Sequence, residues 1–136
     1  MMKYYAVLDT NVIVSALLTS HPNSPTATLL NMVIDGVIIP VFNDEILNEY
    51  KEVLSRKKFG FSSDQIHHII SALATGINLK RTPSDENFPN PDDAVFYEVA
   101  LSKEDAYLVT GNLKHFPHIS KVVSPTEMLE IIYLGI

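Results

Sequence analysis

Short apolar runs alternate with helix-patterned stretches from one end of this chain to the other, and that alternation leaves few folds open. Tyr4–Leu8, residues 37–42, residues 77–80, Ala106–Val109 and residues 121–123 read as strands, dense in branched and aromatic side chains. Six helix patterns lie between and after them. The first runs from a Thr10 or Asn11 cap through Leu18, and the second from Ser24 or Thr26 through Ile34. Others span residues 45 to about 56, a stretch from Ser62 or Ser63 through Leu73, residues 91 to about 103 behind an Asn90 cap, and Ser124 through Leu134. Strands interleaved with helices pair in parallel, and right-handed crossovers cover both faces of the sheet. The expectation is an α/β fold, a three-layer α/β/α sandwich around a mostly parallel sheet of about five strands. Residues 1–136 form one domain, a length that suits one core. Pro40 lacks a ladder donor, so the second run reads as an edge strand or a strand end.

Composition excludes several chemistries. The chain has no cysteine, which removes disulfide frameworks, thiolate zinc sites and cysteine nucleophiles. No H-x-x-x-H or H-E-x-x-H occurs, and His67 and His68, being adjacent, face different directions on a helix. His115 and His118 flank Pro117 in a loop. There is no G-x-G-x-x-G, P-loop or G-x-S-x-G. Asp9 and Asn11 interrupt the first apolar stretch, unlike a signal peptide, and no apolar run approaches the ~20 residues of a membrane helix. A soluble, cytoplasmic protein without a membrane partner is expected. The net charge of −6 argues against strong nonspecific nucleic-acid binding. Positive charge nonetheless gathers at Arg56-Lys57-Lys58 and Lys80-Arg81.

Acidic or amide side chains recur just past the apolar runs. Asp9 follows the first strand and is succeeded by Thr10 and Asn11, either of which could cap the helix in its place. Glu49 lies at the edge of the stripe formed by Ile46, Leu47, Tyr50, Val53 and Leu54, so it is the glutamate of its helix best placed to reach the sheet. Asp92 and Asp93 fall in the first turn of their helix, where the helix dipole favours acids, and periodicity does not choose between them. Asn112 stands in Thr110-Gly111-Asn112, a sequence that a plain turn also explains. Strand C-termini of a parallel sheet converge on one crevice. Carboxylates gathered there repel one another unless a hard divalent cation holds them.

These residues together resemble the PIN domain family. AVLDTNVIVSALL resembles its opening strand and first acid, EILNEYKEVLSRKKF its helix-borne second acid, and NPDDAVFYEVALSKEDAYLVTGNLKHFP its third acid and the strand ending in Thr-Gly. The small Ala100 seven positions on matches the family's spacing from Asp93, and this selects Asp93 over Asp92. Many members carry a fourth acid where this chain has Asn112, whose neutral amide binds cations more weakly. The resemblance is nearest to toxin components of prokaryotic toxin–antitoxin pairs.

The resemblance implies a ribonuclease in which Asp9 and Asp93 bind Mg2+ or Mn2+ and Glu49 completes the acidic pocket for in-line attack at phosphorus. It implies Thr10 and Asn11 as residues that orient Asp9, with Asp92, Thr110 and Asn112 auxiliary. Products with 5′-phosphate and 3′-hydroxyl ends, a cognate antitoxin and a homodimer are implied in the same way. Arg56, Lys57, Lys58 and Lys114 are candidates for holding the RNA backbone. Two other functions fit parts of the pattern: a PIN-like binding module with a weakened metal site, which Asn112 favours, and a magnesium-dependent phosphatase. Asn11 stands where the second acid of a D-x-D phosphatase pattern would be, which counts against the latter.

Overall fold

Five short strands, β1 (Tyr4–Leu8), β2 (Ile38–Phe42), β3 (Ile77–Asn78), β4 (Ala106–Val109) and β5 (Val122–Val123), form one all-parallel sheet in the order β3-β2-β1-β4-β5. The structure is a computed structural model and describes residues 2–135. Six helices connect and follow the strands: α1 (Thr10–Leu18), α2 (Pro25–Ile34), α3 (Asp44–Leu54), α4 (Ser63–Leu73), α5 (Ala94–Leu101) and α6 (Pro125–Leu134). The expected α/β sandwich on a parallel sheet is the fold observed.

Sequence explains the layering. Ala6, Val7 and Leu8 are all buried, as a strand covered on both faces requires. Helix α5 carries buried side chains on most of its circumference (Val95, Phe96, Tyr97, Val99, Ala100) and lies against β1, β2 and β4. Helix α2 rests on β2, with α1 and α6 beside it. The helix starts are fixed by side chains: Asn43 accepts from the Ile46 N–H at 2.9 Å, and Ser62 with Gln65 and Ser124 with Glu127 form reciprocal capping boxes.

The chain winds outward from β1 through β2 to β3, then returns to the other edge of β1 with β4 and β5. The direction of winding therefore reverses between β1 and β4, and a crevice opens at their C-terminal ends. Leu8 pairs in register with Val109, and the Asp9 N–H donates to the Val109 carbonyl at 2.9 Å. Asp9 and Thr110 are thus the first residues beyond the sheet at the switch point.

Several expected boundaries shift, each for a local reason. Pro40 sits inside β2, which has neighbours on both sides and is not an edge strand. The proline is tolerated because β3 begins opposite Val41, one residue later. Gly76 passes so close that a Cβ there would lie 1.9 Å from the Pro40 carbonyl oxygen. Strand β3 stops at Asn78, whose amide donates to Asp44 at 3.0 Å. Lys121 falls outside β5, its ammonium donating to the Ala100 and Lys103 carbonyls at 2.8 and 3.0 Å, where it caps the end of α5. Helix α3 ends at Leu54, short of residue 56. Residues Pro91–Asp93 form a 3₁₀ turn ahead of α5, so the two aspartates precede the α-helix that was expected to contain them.

Candidate active site

Asp9 occupies the N-cap position of α1, the position expected of Thr10 or Asn11, yet its side chain makes no capping hydrogen bond. Its Oδ2 instead accepts from the Thr110 hydroxyl at 2.7 Å and from the Asn11 amide at 3.1 Å. Both donors are themselves held: the Gly111 N–H donates to Asn11 Oδ1 at 3.1 Å, and the Asn112 N–H donates to the Thr110 hydroxyl oxygen at 3.0 Å. The end of β4 thereby clamps the end of β1. Asp9 is 6% exposed and Thr110 is fully buried, so this clamp works away from bulk water. Burial pushes the Asp9 carboxyl above its ordinary range, and the Asp93 charge adds to that; the Thr110, Thr10 and Asn11 contacts oppose it without cancelling it.

Glu49 projects from α3 toward the same crevice. Its Oε2 accepts from the Thr10 hydroxyl. The two residues expected to orient Asp9 therefore divide their work: Asn11 holds Asp9 by its side chain, and Thr10 gives its hydroxyl to Glu49. Tyr50, the next residue on α3, is fully buried and donates to the Leu8 carbonyl, tying α3 to the end of β1. Partial burial raises the Glu49 carboxyl, and the charges of Asp9 and Asp92 raise it further.

Asp93 completes the group from the 3₁₀ turn. Its Oδ2 is buried and has no hydrogen-bond partner, the one such side-chain atom among the described residues. The His115 Nδ1 stands 3.4 Å from it, within ion-pair range but without hydrogen-bond geometry. Burial raises the Asp93 carboxyl, Glu49 and Asp92 reinforce the rise, and His115 opposes it. Sequence reasoning set His115 aside as a loop residue. No periodic signal could have found it, because a 3₁₀ turn at Leu113–His115, unmarked by apolar spacing, brings it to Asp93.

A cleft of about 680 Å³ opens beside these acids. Polar Thr10, Asn11, Glu49, Asn90, Asp92 and Asp93 line it together with Val14, Leu18, Val53, Arg56 and Phe59. Of the candidate backbone contacts, Arg56 reaches the cleft, with its guanidinium paired to Glu52 at 2.8 Å. Lys57, Lys58 and Lys114 are exposed and do not line it. Asn112 is exposed, lies outside the cleft lining and makes no side-chain cap. Arg81, noted in sequence only as part of the Lys80-Arg81 charge cluster, pairs with Glu45 and Glu98 at 3.0 and 2.8 Å and shares a smaller pocket with Glu49 and Asp92.

The donors suit a hard cation, being carboxylate oxygens without sulfur. Among the described residues no three acids or histidines stand close enough to enclose an ion unaided. Mg2+ keeps several waters and is held by one or two carboxylates, so it does not require such a group. The unpartnered Asp93 oxygen and the raised carboxyls supply what such an ion satisfies: negative charge short of donors.

Comparison with known proteins adds the family. A family model described as PIN domain matches residues 5–114, a span that contains Asp9, Glu49, Asp93 and the Thr110–Asn112 turn. No curated protein and no solved structure matches the chain. With its five-stranded parallel sheet, and with 5–114 covering most of its length, the chain belongs to the PIN domain family.

Proposed function

We propose that this chain is an Mg2+- or Mn2+-dependent endoribonuclease hydrolysing RNA phosphodiester bonds. PIN domains are generally metal-dependent nucleases. The observation that carries the proposal is the electrostatic coupling of Asp9, Glu49 and Asp93 at the switch-point crevice, each carboxyl raised by burial and by a neighbouring acid, with the buried Asp93 Oδ2 met only by His115 Nδ1 at 3.4 Å. Three buried or half-buried acids with raised carboxyls are costly in a metal-free fold, and such groups cluster at functional sites.

Asp9 and Asp93 are the residues that would hold the ion, with Glu49 at the third side of the pocket. A divalent cation bound there supplies positive charge against the acids and against the charge that develops on the phosphoryl oxygens. The chain does the rest by positioning. Thr110 and Asn11 fix Asp9 Oδ2, so a ligand oxygen is presented without reorganisation. Thr10 holds Glu49 at the cleft, where its carboxylate can orient an attacking water. Arg56, which also lines the cleft, can exchange Glu52 for a backbone phosphate.

The toxin role, with a cognate antitoxin and a homodimeric assembly, is the finer reading and is supported by the sequence resemblance. A second reading, a nucleic-acid- or protein-binding module with little nuclease activity, is favoured by one observation: the fourth acid position is an exposed amide outside the cleft lining. Incubation of the purified chain with a mixed RNA pool, in Mg2+, Mn2+ or chelator, separates the two. Metal-dependent cleavage leaving 5′-phosphate ends, and lost in Asp9→Asn and Asp93→Asn, supports the nuclease. Equal cleavage by parent and variants, or none under any condition, rejects it. Growth arrest on expression, relieved by a small neighbouring gene, tests the toxin role separately.

A further inference from the structure

Part of the cleft wall carries side chains that the core does not use. Leu18 is 54% exposed, and neither Val53 nor Phe59 belongs to the apolar core, although both line the cleft. Phe61, two residues from Phe59, does pack on the core. Between them Gly60 takes a left-handed conformation at φ 67°, which closes the Lys57–Phe59 turn and folds the chain back on itself. The two rings then stack at 5.7 Å between centroids and 15° between planes. Phe59 is thus a half-buried ring that stacks on a core-anchored ring and lines the acidic cleft.

The charge around it is the reverse of the chain's. Arg56, Lys57 and Lys58 are three of only ten Lys and Arg residues, in a chain of net charge −6. All three are exposed and lie within three positions of Phe59, with the Lys58 ammonium lying over its ring, 5.1 Å from the centroid, so that a stacking base exchanges places with this cation. Cations that track a phosphate backbone, interleaved with an aromatic face that takes a base, are the two elements by which single strands are gripped. A cleft of about 680 Å³ is large enough to receive a nucleobase.

We propose that Phe59, backed by Phe61, is a stacking platform for a nucleobase of the RNA strand whose backbone crosses the acids. This inference rests on the nuclease reading for the identity of the ligand. Phe59 is a positioning residue: it holds one base, which registers the adjoining phosphate against Asp9, Glu49 and Asp93. The base must leave its neighbours to enter the cleft, so paired RNA is a poor ligand. Stacking is indifferent to base identity to first order, and sequence preference at this position is weak.

The test reads binding, not cleavage, so it remains decisive if the chain proves inactive as a nuclease. A fluorescent single-stranded oligoribonucleotide with a hydrolysis-resistant phosphorothioate backbone is titrated with the parent chain, Phe59→Ala, Phe59→Leu and Phe59→Tyr in Mg2+. The same titrations use an abasic oligomer of equal length and charge. The parent is expected to bind the base-bearing oligomer about tenfold more tightly than the abasic one. Phe59→Ala and Phe59→Leu should lose that preference while binding the abasic oligomer as the parent does, and Phe59→Tyr should keep it. Equal affinity of the parent for both oligomers overturns the proposal, as does undiminished preference in Phe59→Ala or Phe59→Leu. An absence of RNA binding by the parent also overturns it, and would leave this wall to a protein partner's apolar side chain.

Discussion

Thr110 donates its hydroxyl hydrogen to Asp9 Oδ2 at 2.7 Å, joining residues 101 positions apart at the ends of β1 and β4. The bond is fully buried, and it favours the ionised form of Asp9 against the burial that disfavours it. Thr110→Val keeps the shape and removes the donor. Asp9 should then hold its proton to higher pH, and the affinity for Mn2+ at neutral pH should fall about tenfold, the lower end of what loss of such an outer partner costs. Metal titrations of parent and variant at one pH measure this, and an unchanged affinity would place Asp9 outside the metal site.

The raised carboxyls have a consequence for the metal-free fold. An acid whose pKa is higher folded than unfolded stabilises the fold fully below the unfolded value, and that contribution is lost as pH rises through the folded value. Asp9, Glu49 and Asp93 all move in this direction. In chelator, the chain should therefore lose stability between acid and neutral pH. Asp9→Asn should melt a few degrees above the parent at pH 7, with the gap closing near pH 4, since about 1 kcal/mol corresponds to a few degrees at this length. Thermal melts at the two pH values check it; a variant less stable than the parent at pH 7 contradicts it.

Tyr50 carries the coupling between scaffold and site. Its hydroxyl donates to the Leu8 carbonyl one residue before Asp9, and the residue is 2% exposed. Tyr50→Phe leaves that carbonyl without its donor and should cost about 1–2 kcal/mol, read from denaturant unfolding. Metal affinity should fall with it, because the backbone that presents Asp9 loosens. Loss of stability without loss of metal affinity would show that the two are independent.

Asn112 offers a gain rather than a loss. Its side chain is exposed and uncapped, so Asn112→Asp should change stability by less than about 0.5 kcal/mol. A fourth carboxylate two residues past Thr110, whose hydroxyl holds Asp9, should strengthen Mn2+ binding and raise the cleavage rate at low metal. Calorimetry and initial rates at limiting Mn2+ measure both. No change in either would mean that residue 112 lies too far from the ion to matter.

The parallel fold was legible because its signals are local and repeated: apolar runs interleaved with helical periods, and Ser and Asn caps. Glu49 was legible for the same reason, since helical spacing alone separated it from Glu45 and Glu52. What sequence missed depends on tertiary approach. Pro40 reads as an edge residue until β3 is seen to begin one position later. His115 and Arg81 sit in irregular segments, where no period says which way a side chain points. Thr10 and Asn11 are adjacent in sequence, and only the fold shows that one serves Glu49 and the other Asp9.

Titration of Mn2+ into the metal-free chain, followed by calorimetry at neutral pH, tests most directly whether Asp9, Glu49 and Asp93 form a cation site. One saturable site per chain is expected in the parent, weakened about tenfold or more in Asp9→Asn and in Asp93→Asn. No saturable binding by the parent, or the same affinity in parent and both variants, would contradict it.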